Sequence, residues 1–285
     1  MMMTNLLKVA LVNDTSIYSK HFGCQLVGQT FREQFKRVGL DLTISLPKEF
    51  NLDDYSTELA QVDLVVVNGE GSIHHNANFH LLELADKYPS ALVNCVYEQN
   101  ALNPFIKKFK YISARESLSA NEIRNQGAEC DVVPDVIFAS SFLNSYRPKL
   151  KSSGTVITDS YYKQYDRKLL FKRKDKHLLF AKKHSPASFI SELLKHERVV
   201  AGRFHAAVAC AVLGIPFSAW ESNTWKTRGM MDDMKVPHLL SETRKGAEAV
   251  LPDTLDEVVT EYAENAKMKI FQLFETIHDI AAGKK

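Results

Sequence analysis

Nowhere in the sequence do apolar residues run for the ~20 positions that a helix needs to cross a bilayer, so no membrane span is expected. The opening residues 1–11 pass straight into a strand-like run and lack the small-residue cleavage pattern of a secretory signal. Cysteine is scarce: Cys24, Cys95, Cys130 and Cys210 lie far apart in apolar segments and form no CxxC pair. That argues against a disulfide framework or a cysteine-built zinc centre, and for buried thiols in a reducing cytoplasm. Strong charge of either sign is missing too. Lys+Arg 36 against Asp+Glu 34 leaves a net charge of +2, which gives no general reason to expect nucleic acid. No Gly-Lys-Ser/Thr follows the glycine-bearing run 68–72, and a full GxGxxG is lacking, so a Walker A loop is excluded. His74, His75 and His80 fit neither HExxH nor a zinc spacing, and no metal or resident cofactor is expected. Internal repeats and low-complexity tracts are absent as well.

What remains is a chain able to bury a core, 45% hydrophobic and 25% charged, and 285 residues long, which suits two α/β domains or one large one. Near-continuous apolar runs at 6–12, 40–46, 62–67, 91–96 and 110–114 read as buried strands. Between the first two, Leu26, Val27, Phe31, Phe35 and Val38 keep helical spacing and stop at Gly39. A further helix is expected from the capping box Ser119-x-x-Glu122 to Gly127, followed by Asp131-Val132-Val133 and Pro134-Asp135. This alternation is the signature of a parallel sheet covered on both faces. Residues 143–153 are polar and contain Pro148, which suits a linker. A second series follows: strands at 155–158, 178–181, 199–201 and 216–220, with Ser185-Pro186 starting a helix that runs to 194. The capping box Thr254-x-x-Glu257 opens a last helix that buries Leu255, Val258, Tyr262, Ala266, Ile270, Leu273, Ile277 and Ile280. The expected architecture is α/β: two Rossmann-like domains, 1–147 and 148–252, facing a cleft, with a long C-terminal helix at 253–285 packing across both. Ligands of open parallel sheets bind beyond the strands' carboxyl ends, so the cleft is the default site.

Two junctions concentrate polar chemistry there. In Val199-Val200-Ala201-Gly202-Arg203-Phe204-His205 a strand turns at Gly202 into an Ala-rich helix. Free amides, the helix dipole, Arg203 and His205 together make an anion site; a plain strand–helix junction with a surface Arg and a packed His is the bland alternative. In Asn68-Gly69-Glu70-Gly71-Ser72-Ile73-His74-His75, Gly69 and Gly71 let backbone approach a ligand, and Ser72 caps the next helix or binds a phosphate oxygen. Glu70 repels a naked polyphosphate but suits sugar hydroxyls or the work of a base. Asp14 and His21 flank the exit of the first strand, where Asp14 is either a cleft carboxylate or a simple cap. Arg115 is a second anion contact or a surface ion pair, and Asp135 lies on the same sheet edge. Ser222-Asn223-Thr224-Trp225-Lys226 offers hydroxyl, amide, ring and cation in one ligand-closing loop. From 147 to 183, twelve Lys/Arg face three Asp. Such a run is usually a solvated face, but it could also guide an anionic acceptor or lean on acidic lipid head groups at the inner face of a membrane.

In order along the chain, Val67-Asn68-Gly69-Glu70-Gly71-Ser72, Ser113-Ala114-Arg115-Glu116-Ser117, Val133-Pro134-Asp135, Gly202-Arg203-Phe204-His205 and Gly214-Ile215-Pro216 running on to Lys226 resemble the polysaccharide pyruvyl transferase family. The resemblance implies a two-domain GT-B enzyme that moves a pyruvyl group from phosphoenolpyruvate to hydroxyls of a free or lipid-linked saccharide of the cell surface. It matches Arg115 and His205 to residues that contact phosphoenolpyruvate. Under it, His205, Glu70 and Asp14 are the catalytic candidates. Arg115, Arg203, Gly202, Ser222, Asn223 and Lys226 would face the donor. Asn68, Gly69, Gly71, Ser72, His21, His74 and Asp135 would face the acceptor. The family also resembles glycosyltransferases that use nucleotide-activated acidic sugars, so a nucleotide-sugar donor stays open, as does a sugar-binding protein without chemistry.

Overall fold

The computed structural model describes residues 6–146, 153–161 and 177–284. Strands β1 (Leu7–Val12), β2 (Leu40–Leu46), β3 (Leu64–His74), β4 (Ser90–Glu98), β5 (Tyr111–Ala114) and β6 (Asp131–Val132) form one sheet in the order β2-β1-β3-β4-β5-β6. Strands β7 (Thr155–Thr158), β8 (His177–Leu179), β9 (Arg198–Ala201), β10 (Phe217–Trp220) and β11 (Leu240–Ser241) form a second, in the order β11-β10-β9-β7-β8. Every pairing is parallel. Parallel neighbours need crossovers, and helices Phe22–Arg37, His80–Lys87 and Ser117–Asn125 supply them in the first sheet. Pro186–Leu193 and Phe204–Leu213 do so in the second. Strand β4 is buried along its whole length, which is why its sequence shows no polar–apolar alternation.

One apolar cluster runs through both sheets. Phe22 stacks on Phe189 with ring centroids 3.7 Å apart, and residues from β1 and β9 belong to the same buried group. The terminal helix Glu257–Ala281 closes this core: Phe274 meets the edges of Phe31 at 5.7 Å and Phe35 at 5.4 Å. Arg37 fastens it from outside, donating to Glu275 at 2.8 Å and to the Phe271 carbonyl at 2.9 Å.

Several local expectations are corrected. The run expected as a glycine loop is the continuation of β3, whose register against β4 shifts between Glu70 and Ile73. Ser72 therefore caps no helix; its hydroxyl accepts from Asn13 Nδ2 at 3.1 Å. Glu116, not Ser119, caps the Ser117–Asn125 helix. Ser119 instead accepts from the Tyr97 N–H at 2.9 Å and from the Trp225 indole at 3.2 Å. The terminal helix is capped by Asp256 rather than Thr254. Most of the 143–153 linker and of the basic run 147–183 lies outside the described residues. Among those described, no helix is long and apolar enough to cross a membrane.

Candidate active site

The carboxyl ends of β1, β3, β5, β7 and β9 open onto a cavity of about 450 Å³. Its lining brings together Asp14, His21, Glu70, Gly71, Ser72, Arg115, Arg203, His205, Ser222, Asn223 and Lys226, residues drawn from both sheets. Asn68, Gly69, His74, Asp135 and Gly202 are not part of that lining.

Arg115 follows β5 and is 2% exposed. Its Nε donates to the Asn94 carbonyl at 3.0 Å and its Nη1 to Asp135 Oδ2 at 2.7 Å, while its guanidinium carbon lies 5.1 Å from the centre of the Phe204 ring. The remaining nitrogen, Nη2, is buried with no partner in the protein. Buried donors are normally paired, so this N–H is an unsatisfied group in a residue that lines the cavity. Burial pushes the Asp135 carboxyl up, but Arg115 and His205 outweigh that and hold it below the ordinary carboxylate value. Asp135 also accepts from the Ile137 N–H at 3.0 Å. It therefore lies behind the wall as a fixed counter-charge and does not touch the cavity, contrary to its expected place on the acceptor side.

Arg203 is held differently. Its Nε donates to Asp159 Oδ2 at 3.1 Å, and its Nη2 reaches the same oxygen. The other carboxylate oxygen, Oδ1, accepts from the Ala181 N–H at 2.8 Å. Lys226 donates to Asn223 Oδ1 at 2.7 Å and Thr224 Oγ1 at 2.9 Å. Burial and the nearby Arg115 bring its ammonium down to about 7, with Glu70 and Glu98 pulling the other way.

His205 opens the helix Phe204–Leu213 and is 6% exposed. Its Nε2 lies 3.5 Å from Asp135 Oδ2 and 3.8 Å from Glu70 Oε1. Glu70 sits at φ +32° in the irregular stretch of β3, with Cys24 Sγ 3.5 Å from Oε1 and with Oε2 buried and unpartnered. Glu70 and the imidazole thus line the cavity side by side. His21 caps the Phe22–Arg37 helix, its Nδ1 accepting from the Gly23 N–H at 3.1 Å. Burial, with His205 and Arg203 close by, depresses its pKa to about 2, so this ring stays neutral. The proton must then sit on Nε2, because Nδ1 accepts.

Asp14 is spoken for. One oxygen accepts from the Ser16 N–H and hydroxyl; the other receives Arg32 and Ser45. Burial pushes its pKa up, but the two serines and Arg32 outweigh it and keep the group below the ordinary value. With every lone pair committed, it holds the loop after β1 rather than offering a base. Gly202 has no free amide either: its N–H donates to Thr158 Oγ1 at 2.8 Å. Glycine is required there by close approach, since a Cβ would stand 2.2 Å from the Trp220 ring and 2.6 Å from the Asp159 carbonyl. Gly69 is likewise pressed against Cys95 at 2.6 Å. Asn68 is structural, donating to the Asn13 carbonyl at 3.1 Å and accepting from Asn94 at 3.0 Å. His74 pairs with His75 instead, ring nitrogens 3.0 Å apart. Among the described residues no group of three or more metal-type side chains comes together. The four cysteines are free thiols. Sequence reasoning missed Asn13, Tyr18, Cys24, Lys48, Asp159 and Tyr161. Asp159 was findable: it follows β7 as Asp14 follows β1.

A family model described as polysaccharide pyruvyl transferase matches residues 21–219. The chain belongs to the polysaccharide pyruvyl transferase family. The matched span contains Glu70, Arg115, Asp135, Asp159, Arg203 and His205, whereas Asp14, Ser222, Asn223 and Lys226 fall outside it. A comparison with curated proteins finds no match. Similar solved structures include a functionally uncharacterized protein from Klebsiella pneumoniae subsp. pneumoniae NTUH-K2044, 13% identical, TM-score 0.57, covering 83% of this chain and 93% of that one. An O-GlcNAc transferase mutant from Thermobaculum terrenum is 8% identical, TM-score 0.55, covering 98% of this chain and 68% of that one. UDP-GlcNAc 2-epimerase from Neisseria meningitidis is 10% identical, TM-score 0.51, covering 97% and 100%. At such identities these likenesses speak for the fold alone. This pyruvyl transferase family member has a GT-B-like architecture of two parallel sheets with alternating helices and a long C-terminal helix.

Proposed function

We propose that the cavity binds phosphoenolpyruvate and transfers its pyruvyl group to two hydroxyls of a cell-surface saccharide or its precursor, forming a ketal. The observation that carries this reading is the unpartnered Nη2 of Arg115, in a residue that lines one cavity together with Arg203, Lys226 and Glu70. Arg115 and Arg203 suit a small dianion bearing a phosphate and a carboxylate, because guanidinium groups present paired donors to such oxygens. Lys226 adds a compact charge beside them. Asp135 and Asp159 fix the two guanidinium groups, so they need no reorganisation as charge moves.

The His205–Glu70 pair supplies the proton traffic. A proton from the pair reaches the methylene carbon of the donor and leaves C2 electrophilic. An acceptor hydroxyl adds to C2, and its proton returns to the pair. The bond between C2 and the phosphate oxygen breaks, its electrons leaving with the phosphate held by the basic groups. A second hydroxyl adds to C2 and its proton departs on the phosphate. One donor and two hydroxyls thus become one ketal and inorganic phosphate, with the pair restored.

The test is a donor screen with saccharide acceptors. Inorganic phosphate released from phosphoenolpyruvate, with a matching ketal, supports the reading. Free nucleotide released from a nucleotide sugar replaces it with glycosyl transfer. His205→Asn and Arg115→Lys are each expected to lower turnover by ~10²-fold or more, about 2.7 kcal/mol, with folding kept. Unchanged turnover overturns the assignment.

A further inference from the structure

Among the described residues, six large apolar side chains stay exposed: Leu6, Tyr18, Leu102, Tyr161, Val250 and Met268. Two of them line the cavity, both are tyrosines, and one comes from each sheet. Tyr18 is 92% exposed and Tyr161 is 57% exposed. An aromatic ring held in water at the rim of a polar cavity costs apolar hydration and needs a reason.

The backbone around Tyr18 excludes simple looseness as that reason. Ser16 and Ile17 are tied to Asp14, by the Ser16 N–H at 3.0 Å and the Ile17 N–H at 3.1 Å, and Asp14 is itself anchored to Arg32 and Ser45. On the other side, the Ser19 hydroxyl accepts from the His21 N–H and the Ser19 carbonyl from the Gln25 amide, both at 3.1 Å. Between these anchors Tyr18 sits at φ +61°, the left-handed region that a bulky residue adopts only when its surroundings impose it. Tyr161 stands two residues beyond Asp159, whose N–H donates to the Leu179 carbonyl at 2.9 Å and whose carboxylate is gripped by Arg203. In both sheets a pinned aspartate at a strand exit precedes a tyrosine presented at the cavity rim.

We propose that Tyr18 and Tyr161 form the acceptor subsite and pack their rings against the C–H faces of a pyranose, while Lys48, Ser19, Ser222 and Asn223 meet its hydroxyls. The inference rests on the transferase reading for its occupant. Rigid, amphipathic tyrosines suit such stacking, since they offer large apolar faces at small entropic cost and a polar tip at the edge. The three-carbon donor is far smaller than the ligands a cavity of about 450 Å³ usually holds, so space remains beside the basic wall for a sugar ring. Specificity would then follow from the ring: a pyranose with an unbroken C–H face stacks, and an open-chain polyol with the same hydroxyls does not.

Saturation-transfer NMR on the whole protein tests this with methyl β-D-glucopyranoside, its galacto epimer and sorbitol. Transfer to the ring C–H protons of at least one glycoside, and none to sorbitol, is expected. Tyr18→Ala and Tyr161→Ala should each weaken glycoside binding about three- to tenfold, and Tyr18→Phe should restore it, since the ring and not the hydroxyl does the stacking. Stabilisation of the fold by phosphoenolpyruvate should be the same in all variants, which also shows that they fold. Equal transfer to sorbitol, no transfer to either glycoside, or alanine variants that bind as the parent overturn the subsite. The readout needs no turnover. Glycoside binding that persists where phosphate release fails therefore sinks pyruvyl transfer and leaves the subsite standing.

Discussion

Gly23 lies directly against the imidazole of His205: a methyl group on its Cα would stand 2.1 Å from Nδ1 and 2.4 Å from Cγ. The two residues come from opposite sheets, so the first turn of one helix sets the depth of the ring on the other. Gly23→Ala should lower the thermal midpoint, because the new methyl would overlap Nδ1, Cγ and Cβ of the buried His205 and overpacking of this kind costs about 1–3 kcal/mol. Turnover should fall ~10- to 100-fold, because a reacting group displaced by an ångström is costly. Calorimetry beside steady-state kinetics checks the pair of outcomes, and unchanged kcat would show that the position of His205 is immaterial.

Lys226 gives a pH-dependent signature. Burial first, then Arg115, lowers its pKa from 10.5 to about 7. Between those values the unfolded chain binds the extra proton, so the cost of burying this amine is full below pH 7 and fades as pH rises toward 10.5. Lys226→Met should melt higher than the parent near pH 6, with the gain shrinking in alkali. The donor KM of the variant should rise about tenfold near pH 6 and lose its dependence on pH through 7. Melting curves across pH, with donor titrations, read both.

Glu116 carries the opposite sign. Burial raises its carboxyl from 4.5 to about 7, against the hydrogen bonds it receives from Ser119. Here the folded chain holds the proton longer, so stability is full below pH 4.5 and is lost as pH rises through 7. Glu116→Gln, which keeps an oxygen for the Ser119 N–H, should melt with the parent near pH 4.5 and above it near pH 8. Coincident curves at pH 8 would refute this.

Asp135→Asn removes the charge partner of a fully buried guanidinium. Breaking such a pair from one side costs about 3–5 kcal/mol, and urea denaturation should show a loss of that order. An activity that survives with unaltered donor KM would mean that Arg115 does not need this counter-charge to meet its ligand.

The parallel sheets were legible because β1, β4 and β9 are largely apolar on both faces and so appear as near-continuous runs. The extension of β3 through Asn68-Gly69-Glu70-Gly71 was not, since a pair of glycines reads as a turn unless the neighbour that crowds the first of them, Cys95, is known. Caps misled for a similar reason: Ser119 matches a capping box, yet its hydroxyl serves Tyr97 and Trp225, which are distant in sequence. Arg115, Arg203, His205, Glu70 and Lys226 could be collected by the rule that strand ends face the ligand. That Asp14 and Asp135 are counter-charges already engaged depends on Arg32, Ser45 and Arg115, which no local pattern reveals. The helix Lys226–Asp233 was hidden by its low hydrophobicity and by a glycine, Gly229, that packs against Glu116.

The stack of Phe22 on Phe189 has a mechanical consequence. Hinged enzymes open along a polar seam, but here the seam behind the cavity is a continuous oily joint that also includes Phe274 and the helix beginning at Phe204. Prising the sheets apart would wet that joint, so substrates should come and go through the rim rather than by wide opening. Severing the chain between the sheets should yield two sticky fragments that recover solubility only when mixed.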